Sequence, residues 1–437
     1  MSSRIPPSVG LSPILEAINL ANDPIEYMHA LHQEHPSGFT LTTGFLPDIH
    51  YLTKSEDIDG FTQQANHFDA GVTNASIGSF DLAFGDRTVV VLDGDEHDRT
   101  AAWISNAISL DAVLPSLSNA RRGLRDDIGH WPIGSRFDLY HAIRRVAAGV
   151  IVKLVLGADE PDKSKIVEEL MGLLNSVDDP LRWLVERRKF QKPLDKMINR
   201  YIFRKTEDPQ DDVLSRLISS KRDWVTNDDL RHNLMTLLVL GHEGMSAAVT
   251  WGLYYLYNQP GVYDEVKEDI DWYAQIEVFA NGDLKRIPNL NNLKKETLRM
   301  TPALISVHRR ARCPVKIGKW EFDEGAAIGA CMLFAHRNPE DWKDAESFAL
   351  DRFSGEPPTP GSYFPFGIAP RSCPGEHLAA YEIPMLISEI AYRFGRNLRI
   401  VGGEAPELGL RGNILTPKNG IPAIIDGHQD EDSKSSE

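Results

Sequence analysis

Three groups of residues could do chemistry, and the first is built on a lone cysteine. Cys373 ends the run Phe364-Pro365-Phe366-Gly367-Ile368-Ala369-Pro370-Arg371-Ser372-Cys373 and is followed by Pro374-Gly375. Beyond it, Leu378, Ile383, Leu386, Ile387, Ile390 and Phe394 recur at helical spacing. Pro374 suits the first turn of that helix, where a missing N–H costs nothing. Unpaired backbone N–H groups and the positive end of the helix dipole should then favour a thiolate at Cys373. A thiolate that glycine backbone lets a ligand approach is a candidate axial ligand for haem iron. The plainer alternative is a small buried hydrophobe in a Gly/Pro turn.

The second group, Gly241-His242-Glu243-Gly244-Met245-Ser246, interrupts a long apolar stretch. Two glycines in a helix centre cost about 1 kcal/mol each relative to alanine. Close approach of a flat ligand is one reason to keep them, and a packing notch against another helix is the other. The third group is Glu296 and Arg299, at i and i+3 on a face shared with Leu290, Leu293 and Met300. A pair on an apolar face implies a buried, paired network, whereas on a surface helix it would add little.

These residues must be positioned by a mostly helical chain. The helix holding Glu243 should start at Thr226-Asn227-Asp228-Asp229, rich in capping residues and acids, and run to about Tyr257 before Pro260. It would span roughly 45 Å and, apolar nearly all round, should be buried. Further helices are expected at Val146–Leu156, at Ile166–Leu174, and through Trp183, Leu184, Phe190 and Leu194 after a break at Asp178-Asp179-Pro180. Phe39–Thr42 and Ile49–Leu52 alternate as strands about Gly44 and Pro47. Val315–Ile317 with Trp320–Phe322 form a hairpin, and Ile328–Phe334 a further strand. Asn419-Gly420 predicts a hairpin between Ile414–Thr416 and Ile421–Ile424. Periodicity fails from Phe68 to Arg87, which reads as a loop.

The cysteine run resembles the haem-binding signature of the cytochrome P450 superfamily, F-x-x-G-x-x-x-C-x-G, matched at Phe366, Cys373 and Gly375, with Ala369 in place of the usual glycine. The resemblance covers nearly the whole chain and implies a single domain, 1–427, mainly α with a small β-rich region. It further implies haem b (iron protoporphyrin IX) ligated by Cys373, with Phe366 and Gly241 beside it. His97, Arg309 and Arg371 would anchor the propionates. The family's usual H-x-x-x-R lacks its arginine here, because Ala101 stands four residues after His97 and Arg99 points elsewhere on the helix. Glu296, Arg299 and Arg352 match the network that fixes the cysteine loop. The loop 68–87, Thr301–Val307 and the tip at Asn419-Gly420 would line the substrate pocket.

Gly241–Ser246 resembles the family's A/G-G-x-D/E-T-T/S motif, in which an acid and an alcohol deliver protons during dioxygen activation. Glu243 fills the acid position, but Gly244 stands at the alcohol, and Ser246 lies about 200° further round the helix. Water or a substrate hydroxyl would take that role. The implied activity is monooxygenation of a small, largely apolar molecule, in secondary metabolism. The first alternative is a haem-thiolate enzyme using peroxide, or catalysing a coupling, rearrangement or dehydration. The second is a haem-binding sensor or carrier without turnover.

Among 437 residues, 47 basic and 63 acidic side chains give a net charge of −16, which argues against nucleic acid as a partner. Three cysteines, Cys313, Cys331 and Cys373, form no even pairing and fit a reducing compartment. The N-terminus lacks an apolar h-region and no membrane-length apolar run follows, so no membrane anchor is expected. A cytoplasmic monomer, fed by a separate ferredoxin and ferredoxin reductase, is the expectation. The acidic tail 428–437 should be disordered.

Overall fold

The computed structural model describes residues 4–8, 10–44, 47–78, 84–176, 180–402 and 404–427. The expected acidic tail, Asp178-Asp179, and Phe80 and Leu82 of the expected pocket loop lie outside them.

The central helix runs Asn227–Asn258. Thr226 and Asp229 close a capping box: Asp229 N–H donates to Thr226 Oγ1 (3.1 Å) and Thr226 N–H to Asp229 Oδ2 (2.8 Å). Leu234, Leu238, Val249 and Leu253 are fully buried along it. Two of its glycines are notches for neighbouring isoleucines. A Cβ at Gly241 would lie 3.0 Å from Ile151 Cδ1 of helix Leu139–Leu156, and one at Gly252 2.7 Å from Ile387 Cδ1 of helix Glu376–Phe394. The three helices approach closely because no Cβ intervenes. Gly241 thus serves as a packing notch for Ile151.

Around this rod stand helices Gly94–Ala107, Leu110–Gly129, Asp162–Asn175, Pro180–Glu207, Val213–Ser219, Val262–Gln275 and Pro288–Met300. The β part sits to one side. Its five-stranded sheet has the order Gly38–Leu41, Ile49–Leu52, Ala327–Cys331, Ser306–Ala311, Phe68–Asp69. Only the pairing of Ile49–Leu52 with Ala327–Cys331 is parallel. The first two strands are buried at every position, so their alternation of residue type is not an alternation of burial.

Three local expectations are corrected. The strand from Ile328 ends at Cys331, and Met332–Ala335 is a helical turn. Within Phe68–Arg87, Gly71–Gly78 is a helix whose start is stabilised by a residue from beyond that stretch. Asn419-Gly420 turns the chain, with Gly420 at φ +70°, but does not close the expected hairpin. Ile414–Pro417 pairs instead with Leu408–Arg411 across Gly412, and Pro422–Ile425 passes to a sheet with Arg136–Asp138 and Leu398–Ile400. A turn signal sets direction locally, whereas strand partners are chosen by burial across the whole chain.

Candidate active site

The cysteine loop is fastened at both ends. Gly367 N–H donates to Phe364 O (2.9 Å) and Cys373 N–H to Phe366 O (2.8 Å), with Gly367 at φ +84°. Phe364 N–H donates to His336 Nε2 (2.9 Å), and Tyr363 Oη to Lys295 O (3.1 Å). Beneath lies the expected network, with Glu296 and Arg299 fully buried and Arg352 at its edge. Glu296 receives Arg299 through Nε and Nη2 (both 2.8 Å), Arg352 Nε (2.9 Å) and the Ala349 N–H (2.9 Å). Arg299 also donates to the carbonyls of His336, Ala345 and Ser347. The carboxylate thus gathers residues 336–352 against helix Pro288–Met300, and that surface carries the loop.

Helix Glu376–Phe394 begins three residues after the cysteine, so Pro374 precedes the cap rather than occupying the first turn. The thiol is accessible, yet protein crowds around it and burial raises its pKa; the Gly375 N–H opposes this, and Glu376 and Glu382 add to it. The expectation that the helix end alone favours a thiolate is corrected: a bound metal cation is what would deprotonate this sulfur.

Beside the loop, two arginines and a histidine converge. Arg309 is buried and donates only to carbonyls, His308 O (2.8 Å) and Ile368 O (3.3 Å), with no ion pair to a carboxylate among the described residues. Burial, and then Arg371, push its pKa down to about 10. Arg371 donates through Nη2 to Leu92 O and to Asp93. His97, buried on helix Gly94–Ala107, pairs through Nδ1 with Asp98 (2.8 Å), while burial and Arg371 lower its pKa. Arg99 turns away, pairing with Glu96 and lying over Trp224.

The strip Ala303–Val307 joins loop and helix. A Cβ at Gly244 would touch Ala303 Cβ (3.5 Å), and one at Gly367 would touch Val307 Cγ1 (3.7 Å). The strip, bent at Ala303 and Ile305, lies between the central helix and the loop. Leu415 N–H donates to Ala303 O (2.9 Å), which adds the 408–417 hairpin to this wall. One turn before Gly244, Leu240 is 36% exposed in mid-helix, which marks an accessible apolar surface.

Glu243, expected to relay protons, is held by a cation from helix Leu139–Leu156. Its Oε1 receives Arg144 Nη2 (2.6 Å) and Nε (3.0 Å), and His242 Nε2 lies 3.4 Å away. Burial alone would raise this carboxyl, but His242 and Arg144 override it and hold the pKa at about 2. Arg144 also donates to Asn175 Oδ1 (3.0 Å), as does Arg411 (3.1 Å). Oε2 is buried with no hydrogen-bond partner among the described residues. Arg144, His336, Tyr363 and Asp93 were not singled out in sequence; each acts on a residue far along the chain, and no local pattern marks it.

The donor set fits haem. A single accessible sulfur stands beside a buried arginine that has no counter-anion, and the described residues contain no cluster able to hold a bare metal ion. Residues 6–421 match the cytochrome P450 family. The chain is 24% identical to cytochrome P450 135B1 of Mycobacterium tuberculosis over 99% of its own length and 94% of the relative's. It is 25% identical to cytochrome P450 135A1 of the same organism, over 96% and 95%. The solved structure of retinoic-acid-bound cyanobacterial CYP120A1 superposes with a TM-score of 0.83, covering 98% of this chain and 100% of that one at 18% identity, a likeness of fold. The chain belongs to the cytochrome P450 family, whose members bind haem and are oxidoreductases of the monooxygenase type. Among the described residues no helix is long and apolar enough to cross a membrane.

Proposed function

We propose that the protein is a haem-thiolate monooxygenase that hydroxylates a small, largely apolar molecule. The observation that carries this reading is the accessible Cys373 thiol in its fastened loop, beside Arg309 without a counter-anion. Cys373 would hold the haem iron through its sulfur, and Phe366 holds its loop closed. Arg309, Arg371 and His97 receive the propionates by charge-assisted hydrogen bonds. Haem supplies the oxygen-activating redox chemistry. Leu240, Gly244 and Ala303 offer the substrate an apolar wall, which supports the substrate class.

Glu243, kept ionised by Arg144, acts as a fixed acceptor that orients water or a substrate hydroxyl, in place of the proton-releasing acid expected. Electrons come from a separate ferredoxin and its reductase, in the cytoplasm. A second reading, turnover driven by peroxide or a coupling, rearrangement or dehydration, is favoured by the missing hydroxyl at Gly244. A spectral-shift screen of apolar molecules followed by turnover of the hits tests both. Hydroxylated product with ferredoxin and reductase supports the first; product with peroxide alone, and none with the redox partners, supports the second.

A further inference from the structure

Asp93 lies at the entrance to helix Gly94–Ala107, and its carboxylate serves two parts of the site at once. Oδ1 accepts the N–H groups of Ala70 (2.9 Å) and Gly71 (2.8 Å), and Oδ2 that of Val72 (3.1 Å). These are donors that the start of helix Gly71–Gly78 would otherwise leave unpaired. Gly71 permits the approach: a Cβ there would come within 2.3 Å of Val91 O and 2.8 Å of Asp93 Oδ2. The same Oδ1 takes Arg371 Nη2, which also donates to Leu92 O (2.6 Å). Arg371 is therefore held through one nitrogen, and its Nε and Nη1 make no hydrogen bond among the described residues.

The far end of the same stretch is clamped to the central helix. Val89 N–H donates to Asn233 Oδ1 (2.8 Å), Asn233 Nδ2 to Arg87 O (3.1 Å), and Arg87 Nε to Asp229 (2.9 Å). Arg87 and Val89 are thus tethered to the central helix, while the start of helix Gly71–Gly78 is held by Asp93, with Asn74 Nδ2 also donating to Val90 O (2.7 Å).

We propose that Asp93 is a positioning residue that couples the propionate-binding Arg371 to the start of helix Gly71–Gly78. It rests on the reading of Arg371 as a propionate anchor. Asp93 offsets part of the arginine charge, directs the free nitrogens toward the propionate and fixes the first turn of the helix with the same two oxygens. Anchoring of haem and the shape of this part of the pocket are then set by one carboxylate.

The test uses haem-loaded protein in four forms: unchanged, Asp93→Asn, Arg371→Met and the double variant, with Asp93→Ala for the helix. Asp93→Asn keeps the shape and removes the charge, leaving Arg371 uncompensated beside the haem. The rate of haem transfer to apomyoglobin should rise in Asp93→Asn and rise no further when the same change is made in the Arg371→Met background. In Asp93→Ala, hydrogen exchange at the amides of Ala70, Gly71 and Val72 should quicken by about tenfold or more, the worth of a charged hydrogen bond. An equal rise in both backgrounds, or unchanged exchange at those amides, overturns the proposal. If Arg371→Met alone does not alter the rate of haem transfer to apomyoglobin, the anchor reading falls, and this proposal with it.

Discussion

A thiol whose pKa is raised by burial, as at Cys373, waits on a cation to ionise it. Reduced protein under carbon monoxide should show the red-shifted Soret band of thiolate ligation, and Cys373→Ser should lose it; a variant that keeps the band would remove Cys373 from the iron. Gly244 has room for a first carbon beside Ala303. Gly244→Thr adds a hydroxyl, and Gly244→Val adds nearly the same bulk without one. With the redox partners and a loosely fitting substrate, the Thr form should release less peroxide per electron consumed than the Val form. Equal release would make the hydroxyl irrelevant and strengthen the non-monooxygenase reading. Glu382 is buried, its Oε1 has no hydrogen-bond partner among the described residues, and burial pushes its pKa up to about 8. Because the folded pKa lies above the unfolded one, stability is complete below about pH 4.5 and is lost as pH rises toward 8. Glu382→Gln should match the unchanged protein in urea midpoint near pH 4.5 and exceed it at pH 8. A deficit at pH 8 would mean that the carboxylate is ionised and paired.

Helix Pro288–Met300 shows what a single element can dictate. Its Glu296 and Arg299 are buried together, so Arg299→Ala would strand a carboxylate, at a cost on the order of 3–5 kcal/mol. The cysteine loop sits on that network, so the variant should be recovered largely without haem although no pocket residue has changed. Soluble Arg299→Ala protein with a full haem complement would refute this. Here the sequence was legible, because i and i+3 on an apolar face is a local pattern. The capping box at Thr226 and Asp229 was legible for the same reason. Asp93, twenty-two positions from Gly71, and Arg144, ninety-nine from Glu243, were not. Their partners are fixed by packing, on which local spacing is silent. Gly241 was visible as an anomaly, but the notch that Ile151 fills was not, because it too is set by packing.

Across the whole molecule, the cysteine loop takes its supports from residues that precede it: Tyr363 from Lys295, Phe364 from His336, Ile368 from Arg309. A chain leaving the ribosome therefore completes its central helix and the seat of the loop before it possesses a sulfur for iron. Colour then becomes a sign of completion. Chains stalled short of Cys373 should gather helix yet stay colourless, and those released past Phe394 should gain a Soret band. A cell short of haem would accumulate finished, empty protein rather than arrested fragments.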